Sequence, residues 1–133
     1  MAALPEDRPQ GAALLDTARR ALLDELLPLL PPDKRLDVLM IANAMAIAAR
    51  EAKAGEGPVR EALARIAAIY GEQVPATSTL EEASAALARL DRRLVADIRA
   101  GAFDAGPKRA AVVDHLRATT RARVAITNPK VLE

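Results

Sequence analysis

The strongest constraint on this fold is the stretch from Val38 to Ala49, Val-Leu-Met-Ile-Ala-Asn-Ala-Met-Ala-Ile-Ala-Ala, which carries no charged side chain. It lies within a segment that opens near Asp33, a residue suited to N-capping, and runs to about Ala54, where Gly55-Glu56-Gly57-Pro58 breaks it. A helix that is apolar nearly all round is normally enclosed by other helices. The segment is therefore expected to be the central helix of a bundle. It is far shorter than the roughly 20 residues needed to cross a bilayer, so no membrane span is expected.

Proline and glycine divide the rest of the chain into further helical segments, about five in all, and no run shows the period-two alternation of a half-buried strand. The first runs from about Gln10 to Leu30 with Leu15, Leu22, Leu26 and Leu29 on one face. Pro28 should kink or finish it, and Pro31-Pro32 should stop it. Pro58 suits the first turn of a third helix, in which Val59, Leu63, Ile66 and Tyr70 recur at helical spacing up to Gly71. Thr79 followed by Glu82 is a capping-box pattern opening a fourth helix, with Leu80, Ala83, Leu87, Leu90, Leu94 and Ile98 on its inner face up to Gly101. A fifth spans about Lys108 to Ile126, with Val113, Leu116, Thr120 and Val124 as its expected buried stripe, and Asn128-Pro129 ends it. The prediction is an all-α single-domain bundle over residues 1–133, with an N-terminal arm over 1–9 and a C-terminal tail over 128–133.

Composition closes off several chemistries. Hydrophobic residues make up 51% of the 133, but aromatics only 2%, so the core must be aliphatic and Ala-rich, which suits closely approaching helices. A net charge of +1 lacks the basic excess of a dedicated nucleic-acid binder. With no Cys and one His, thiol catalysis, disulfides and Cys- or His-ligated metal are excluded, and no calcium-loop spacing of acidic residues occurs. No cofactor and no metal are expected. The start of the chain lacks the basic-then-apolar pattern of a secretory signal, so the expectation is a cytoplasmic protein.

Few polar residues fall on apolar faces. Asn43 shares one with Leu36, Met40 and Ile47, either as a satisfied core amide that fixes helix register or as a ligand contact. Arg50 returns to the same face two turns later and could pair with a carboxylate or grip an anion. Arg117 lies beside the fifth helix's expected stripe, placed to form an ion pair at the core edge or to hold an anion, with Asp97 as one possible partner. His115, nearly opposite that stripe, reads as a surface or capping residue, since no Ser elbow, phosphate loop or paired carboxylates accompany it. Arg117, Arg121, Arg123 and Lys130 make the C-terminal region basic, as helix-dipole complements or as a phosphate-facing group.

Four strings together resemble a family of small bacterial helical proteins, domain of unknown function 6285. They are Ala42-Asn43-Ala44-Met45-Ala46-Ile47-Ala48-Ala49-Arg50-Glu51, Ile98-Arg99-Ala100-Gly101-Ala102-Phe103-Asp104, His115-Leu116-Arg117-Ala118-Thr119 and Ala125-Ile126-Thr127-Asn128-Pro129. Asp7-Arg8-Pro9 also fits. Where the family often has an aromatic and a basic residue upstream of the Asn, this chain has Leu36 and Leu39. The resemblance implies relatives encoded near acyl-CoA dehydrogenases and aminoglycoside-phosphotransferase-like proteins, a matter of context and not of mechanism.

With no complete catalytic constellation, the leading expectation is a non-catalytic interaction or accessory protein, pairing with its own copy or with an enzyme of those two kinds, and contacting neither nucleic acid nor membrane. The alternative is a binder of a small anion or acyl-CoA-type ligand through Asn43, Arg50 and Arg117.

Overall fold

The structure is a computed structural model describing residues 10–133. The expected N-terminal arm, with Asp7-Arg8-Pro9, lies outside the described residues. Five α-helices and no strand occur among the described residues: α1 Gly11–Ala21, α2 Arg35–Ala54, α3 Gly57–Ile69, α4 Leu80–Arg99 and α5 Arg109–Thr127. The all-α reading stands. The chain divides into two compact units, one ending at Gly55 and the other spanning Glu56–Glu133.

In the first unit α1 packs against α2. Pro28 acts as its chemistry dictates. Its missing N–H and its ring disrupt the hydrogen-bond ladder one turn upstream, and the helix widens to a π-turn over Leu22–Leu26, where the Leu27 N–H reaches back to the Leu22 carbonyl. Tighter 3-10 turns follow at Leu27–Leu29 and Pro32–Lys34, so Asp33 lies in the second of these turns and not at the N-cap of α2. Polar contacts tie the pair: Arg19 Nε donates to the Ala42 carbonyl at 3.1 Å, and Lys53 Nζ meets Asp16 Oδ2 at 2.8 Å. The Lys53 ammonium holds the Asp16 carboxyl below its ordinary 3.8.

The enclosed α2 expected from its apolar sequence does not form. Only Val38, Ala42 and Ala49 of this helix are buried, while Leu36, Leu39, Met40 and Ile41 are exposed. Ala explains how this arises: it is a strong helix former whose small side chain tolerates either environment, so an Ala-rich run specifies a helix without specifying which faces are covered.

In the second unit the central element is α3, which packs against both α4 and α5 and buries Ala62, Leu63, Ile66, Ala67 and Ile69. Ala83, Ala86, Leu90 and Leu94 of α4 and Val112 of α5 complete the core, with Val59, Tyr70, Leu87 and Phe103 packed at its edge. The expected Leu80 and Ile98 are exposed. The Thr79–Glu82 capping box is present on both sides, Glu82 N–H to Thr79 Oγ1 at 3.1 Å and Thr79 N–H to Glu82 Oε2 at 3.3 Å. At the end of α3, Gly71 takes a positive φ of 63°, and the Glu72 N–H returns to the Ala67 carbonyl in a Schellman motif.

The buried stripe of α5 is not the expected one. Val112 and His115 are buried and Thr119, Ala122 and Ile126 half-buried, whereas Leu116 and Thr120 are exposed. The true stripe is rotated by about 120° from the expected face, at 100° per residue. Beyond the helix, the expected tail forms a 3-10 turn, Pro129–Leu132, against α5.

Candidate functional site

Asn43 and Arg50 share one face of α2, as their spacing requires, but this is not a core face. Asn43 is exposed and Arg50 half-buried. At 100° per residue Leu36, Met40, Asn43 and Ile47 fall within about 60° of one another and about 150° around the helix from Val38, Ala42 and Ala49, which contact the rest of the fold. The reading of Asn43 as a satisfied core amide is therefore corrected: it sits among apolar side chains on an open face, with Leu36 67% and Met40 63% exposed.

Arg117 belongs to the second unit and is exposed. Its expected partner Asp97 is engaged elsewhere, accepting a 2.6 Å hydrogen bond from the Tyr70 hydroxyl. Arg117 instead lines an open groove of about 570 Å³ with Leu116, Thr120, Arg121, Val124 and the C-terminal Val131 and Leu132. Leu116 and Val124, expected in the core stripe of α5, thus line a surface groove with two guanidinium groups on it.

The two aromatic residues of the chain meet at the end of the second-unit core. The Tyr70 and Phe103 rings lie edge to face with centroids 6.4 Å apart, and the Arg93 guanidinium stacks 3.7 Å above the Tyr70 ring while pairing with Glu72. Burial and the Asp97 carboxylate push the Tyr70 phenol up to about 12. As the only Tyr, it gives a clean readout. Absorbance titration of the folded chain should show phenolate appearing near about 12, against about 10 for the urea-unfolded chain, and Asp97→Asn should bring the folded value down. The stabilisation is complete below 10.0 and is lost as pH rises through about 12. Coincident folded and unfolded titrations would show that the Tyr70–Asp97 bond does not form.

Sequence reasoning placed His115 outside, yet it is the largest correction among the candidate residues: it is 2% exposed, between α3 and α4. Nε2 lies 3.9 Å from Asp91 Oδ1 of α4, too long for a firm hydrogen bond. Burial, reinforced by the Arg65 charge, holds the imidazole below its ordinary 6.5 against the opposing pull of Asp91. Three buried side-chain atoms in this region have no hydrogen-bond partner: His115 Nδ1, Arg65 Nε and Thr119 Oγ1. Leaving such a group unpaired costs about 1–3 kcal/mol, so a cluster of three calls for an explanation. Two cavities adjoin it. One of about 310 Å³ is lined by Arg65, Ala68, Ile69, Ala111, Asp114 and His115; one of about 180 Å³ is lined by Val59, Ala62, Leu87, Thr119 and Ile126, among others. The signal that could have revealed this stripe is its spacing: Val112, His115, Thr119, Ala122 and Ile126 repeat at intervals of three and four, the period of one helix face.

Among the described residues no group of three or more His, Cys, Asp or Glu side chains could hold a metal ion, and no helix is long and apolar enough to cross a membrane. Neither a curated protein nor a solved structure matches the chain. The family model described as domain of unknown function (DUF6285) matches residues 28–131, from the Pro28 turn to the C-terminal 3-10 turn. That match covers all of α2 to α5 and all four strings that carry the resemblance, leaving outside it only the first 27 residues, which include α1, and the last two; this protein belongs to the DUF6285 family.

Proposed function

We propose that this chain is a non-catalytic interaction protein that pairs with a second copy of itself through the open face of α2. The observation that supports this reading is the seam Leu36, Met40, Asn43, Ile47, Arg50, spaced four, three, four and three on the face turned away from α1. That alternation is the heptad period by which helices pair with one another. Its flanks also suit close approach, because Ala44 and Ala46 are small and Leu39 is exposed. A single Asn in an otherwise apolar seam is a device that fixes register and copy number at a cost in stability, and it works best when it meets its own counterpart. Leaving Leu36, Met40 and the flanking Leu39 in water is the alternative to pairing.

Sedimentation velocity over a wide concentration range tests the proposal. A dimer is expected, converted to a monomer by Leu36→Glu with Met40→Glu at unchanged helical circular dichroism. Asn43→Leu should tighten association and broaden it beyond the dimer. A chain that stays monomeric throughout overturns self-pairing and leaves this face to a partner of another kind, such as a phosphotransferase-like or acyl-CoA dehydrogenase enzyme.

The second reading, a binder of a small anion or acyl-type ligand, draws support from Arg117 and Arg121 beside the apolar groove on α5. Here Arg117 acts with Arg121 and the apolar groove residues.

A further inference from the structure

From His115 to Leu132 the chain carries Arg117, Arg121, Arg123 and Lys130 and no acidic residue. Arg117 and Arg121 stand one helical turn apart on α5, a spacing at which like charges repel. Among the described residues no carboxylate pairs with either of them. Asp114, three residues before Arg117, borders a different cleft with Arg65 and His115. Two neighbouring guanidinium groups without a counter-charge complement a pair of carboxylates, which each can grip with two parallel hydrogen bonds.

Beside these charges lies an apolar floor. Leu116, Thr120 and Val124 form a ridge along α5, each four residues after the last, and Val131 and Leu132 of the C-terminal 3-10 turn, which packs against α5, complete the groove. Leu116 and Val131 are exposed. Open to solvent, the groove suits a partner that covers it better than a small molecule that it would have to enclose.

The polar groups of the groove decide the form of that partner. The guanidinium groups only donate, and Thr120 supplies a single hydroxyl, so an extended strand would find almost no side-chain acceptors for its row of N–H groups. A helix satisfies its own backbone and presents side chains alone, an apolar stripe at i, i+3, i+4 and i+7 with other residues beside it. From Leu116 to Val124 the ridge runs about 12 Å at 1.5 Å per residue, a little over two helical turns. Carboxylates at i and i+4 of a helix laid along it repeat at the spacing of Arg117 and Arg121.

We propose that the α5 groove docks an amphipathic helix of a partner protein, its apolar stripe laid on Leu116, Val124, Val131 and Leu132, and its Asp or Glu side chains, one turn apart beside that stripe, paired with Arg117 and Arg121. The proposal gives the groove of the second reading a macromolecular occupant in place of a small one. It is independent of self-pairing through α2.

A displayed library of three-turn helices, with a fixed leucine stripe and randomised flanking positions, is the probe. Selection on the unmodified chain is expected to enrich Asp and Glu at flanking positions one turn apart; selection on Arg117→Glu with Arg121→Glu is expected to enrich Lys and Arg there instead. A fluorescein-labelled peptide from the first selection should bind saturably by fluorescence anisotropy and more weakly as salt rises. Its affinity should fall by about ten-fold or more in Arg117→Glu with Arg121→Glu, and also in Leu116→Gln with Val131→Gln, each at unchanged helical circular dichroism because all four side chains are exposed. Leu36→Glu with Met40→Glu should leave peptide binding unchanged, which separates the groove from the α2 face. No enrichment of acidic flanks, or undiminished binding in both groove variants, overturns the proposal. Saturable binding of octanoate that Arg117→Glu with Arg121→Glu abolishes, with no helix selected, overturns it in favour of a small anionic ligand.

Discussion

Ile66→Ala is expected to lower the stability of the second unit by about 2–5 kcal/mol, the cost of removing a large buried aliphatic side chain and leaving a cavity behind it. Ile66 is 0% exposed at the middle of α3, in contact with the residues of α4 and α5 that complete the core. Half of the stability of a marginal domain can be lost in one such change. Urea unfolding followed by the fluorescence of Tyr70 reads this directly, since the only Tyr of the chain packs against the same core. The matching change on α2, Leu36→Ala, should cost no more than about 0.5 kcal/mol when measured below the concentration at which chains associate, because Leu36 has little contact to lose. A reversal of the two costs would restore α2 to the central position its sequence suggests.

That contrast also shows what the sequence makes legible. Helix boundaries are written in local chemistry: Pro58 at the start of α3, Gly71 after its end, the Thr79–Glu82 box before α4 and Asn128-Pro129 after α5 all act through backbone geometry that needs no tertiary context. Which face is buried is a tertiary property, and it is legible only where large and small residues separate. On α4 they do, with Leu90 and Leu94 against Arg92 and Arg93, and the middle of the face is read correctly, Ala83, Leu90 and Leu94 buried and Leu87 half-buried, while Leu80 and Ile98 at its two ends are exposed. On α5 two faces compete. Val113, Leu116 and Val124 outweigh Val112, Ala122 and Ile126 in bulk, yet the lighter set lets α3 approach, and His115 and Thr119 go in with it. On α2 the run is so uniform that periodicity carries no choice at all, and the 4-3-4-3 seam around Asn43, though visible in the sequence, is as compatible with a core as with an open face. Burial of the Arg65, His115 and Thr119 polar atoms is illegible for a related reason: each residue alone is an ordinary helix-surface type, and only the register of α3 against α5 decides that these atoms are covered.

Acidification is expected to weaken the second unit through His115. Burial opposes charging of this imidazole more strongly than the Asp91 carboxylate favours it, and the Arg65 guanidinium adds to the opposition, so the folded-state value lies below the ordinary 6.5 of the unfolded chain. Below 6.5 the unfolded state therefore binds more protons than the folded one, and stability must fall with falling pH. The contribution is fully present above 6.5, declines as pH drops toward the folded-state value, and levels off below it, with a slope that cannot exceed about 1.4 kcal/mol per pH unit for one proton. The groups around His115 sharpen the test. Asp91→Asn removes the one nearby charge that supports the imidazolium and should extend the loss to lower pH, whereas Arg65→Met removes the opposing cation and should shorten it. His115→Gln keeps a polar side chain without a proton to gain, and should flatten the urea midpoint between about pH 8 and about pH 5 relative to the unmodified chain. No other histidine is present to supply the slope, so a midpoint that falls as steeply in His115→Gln as in the unmodified chain would mean that His115 titrates alike folded and unfolded, and that it does not lie buried in the α3–α5 seam.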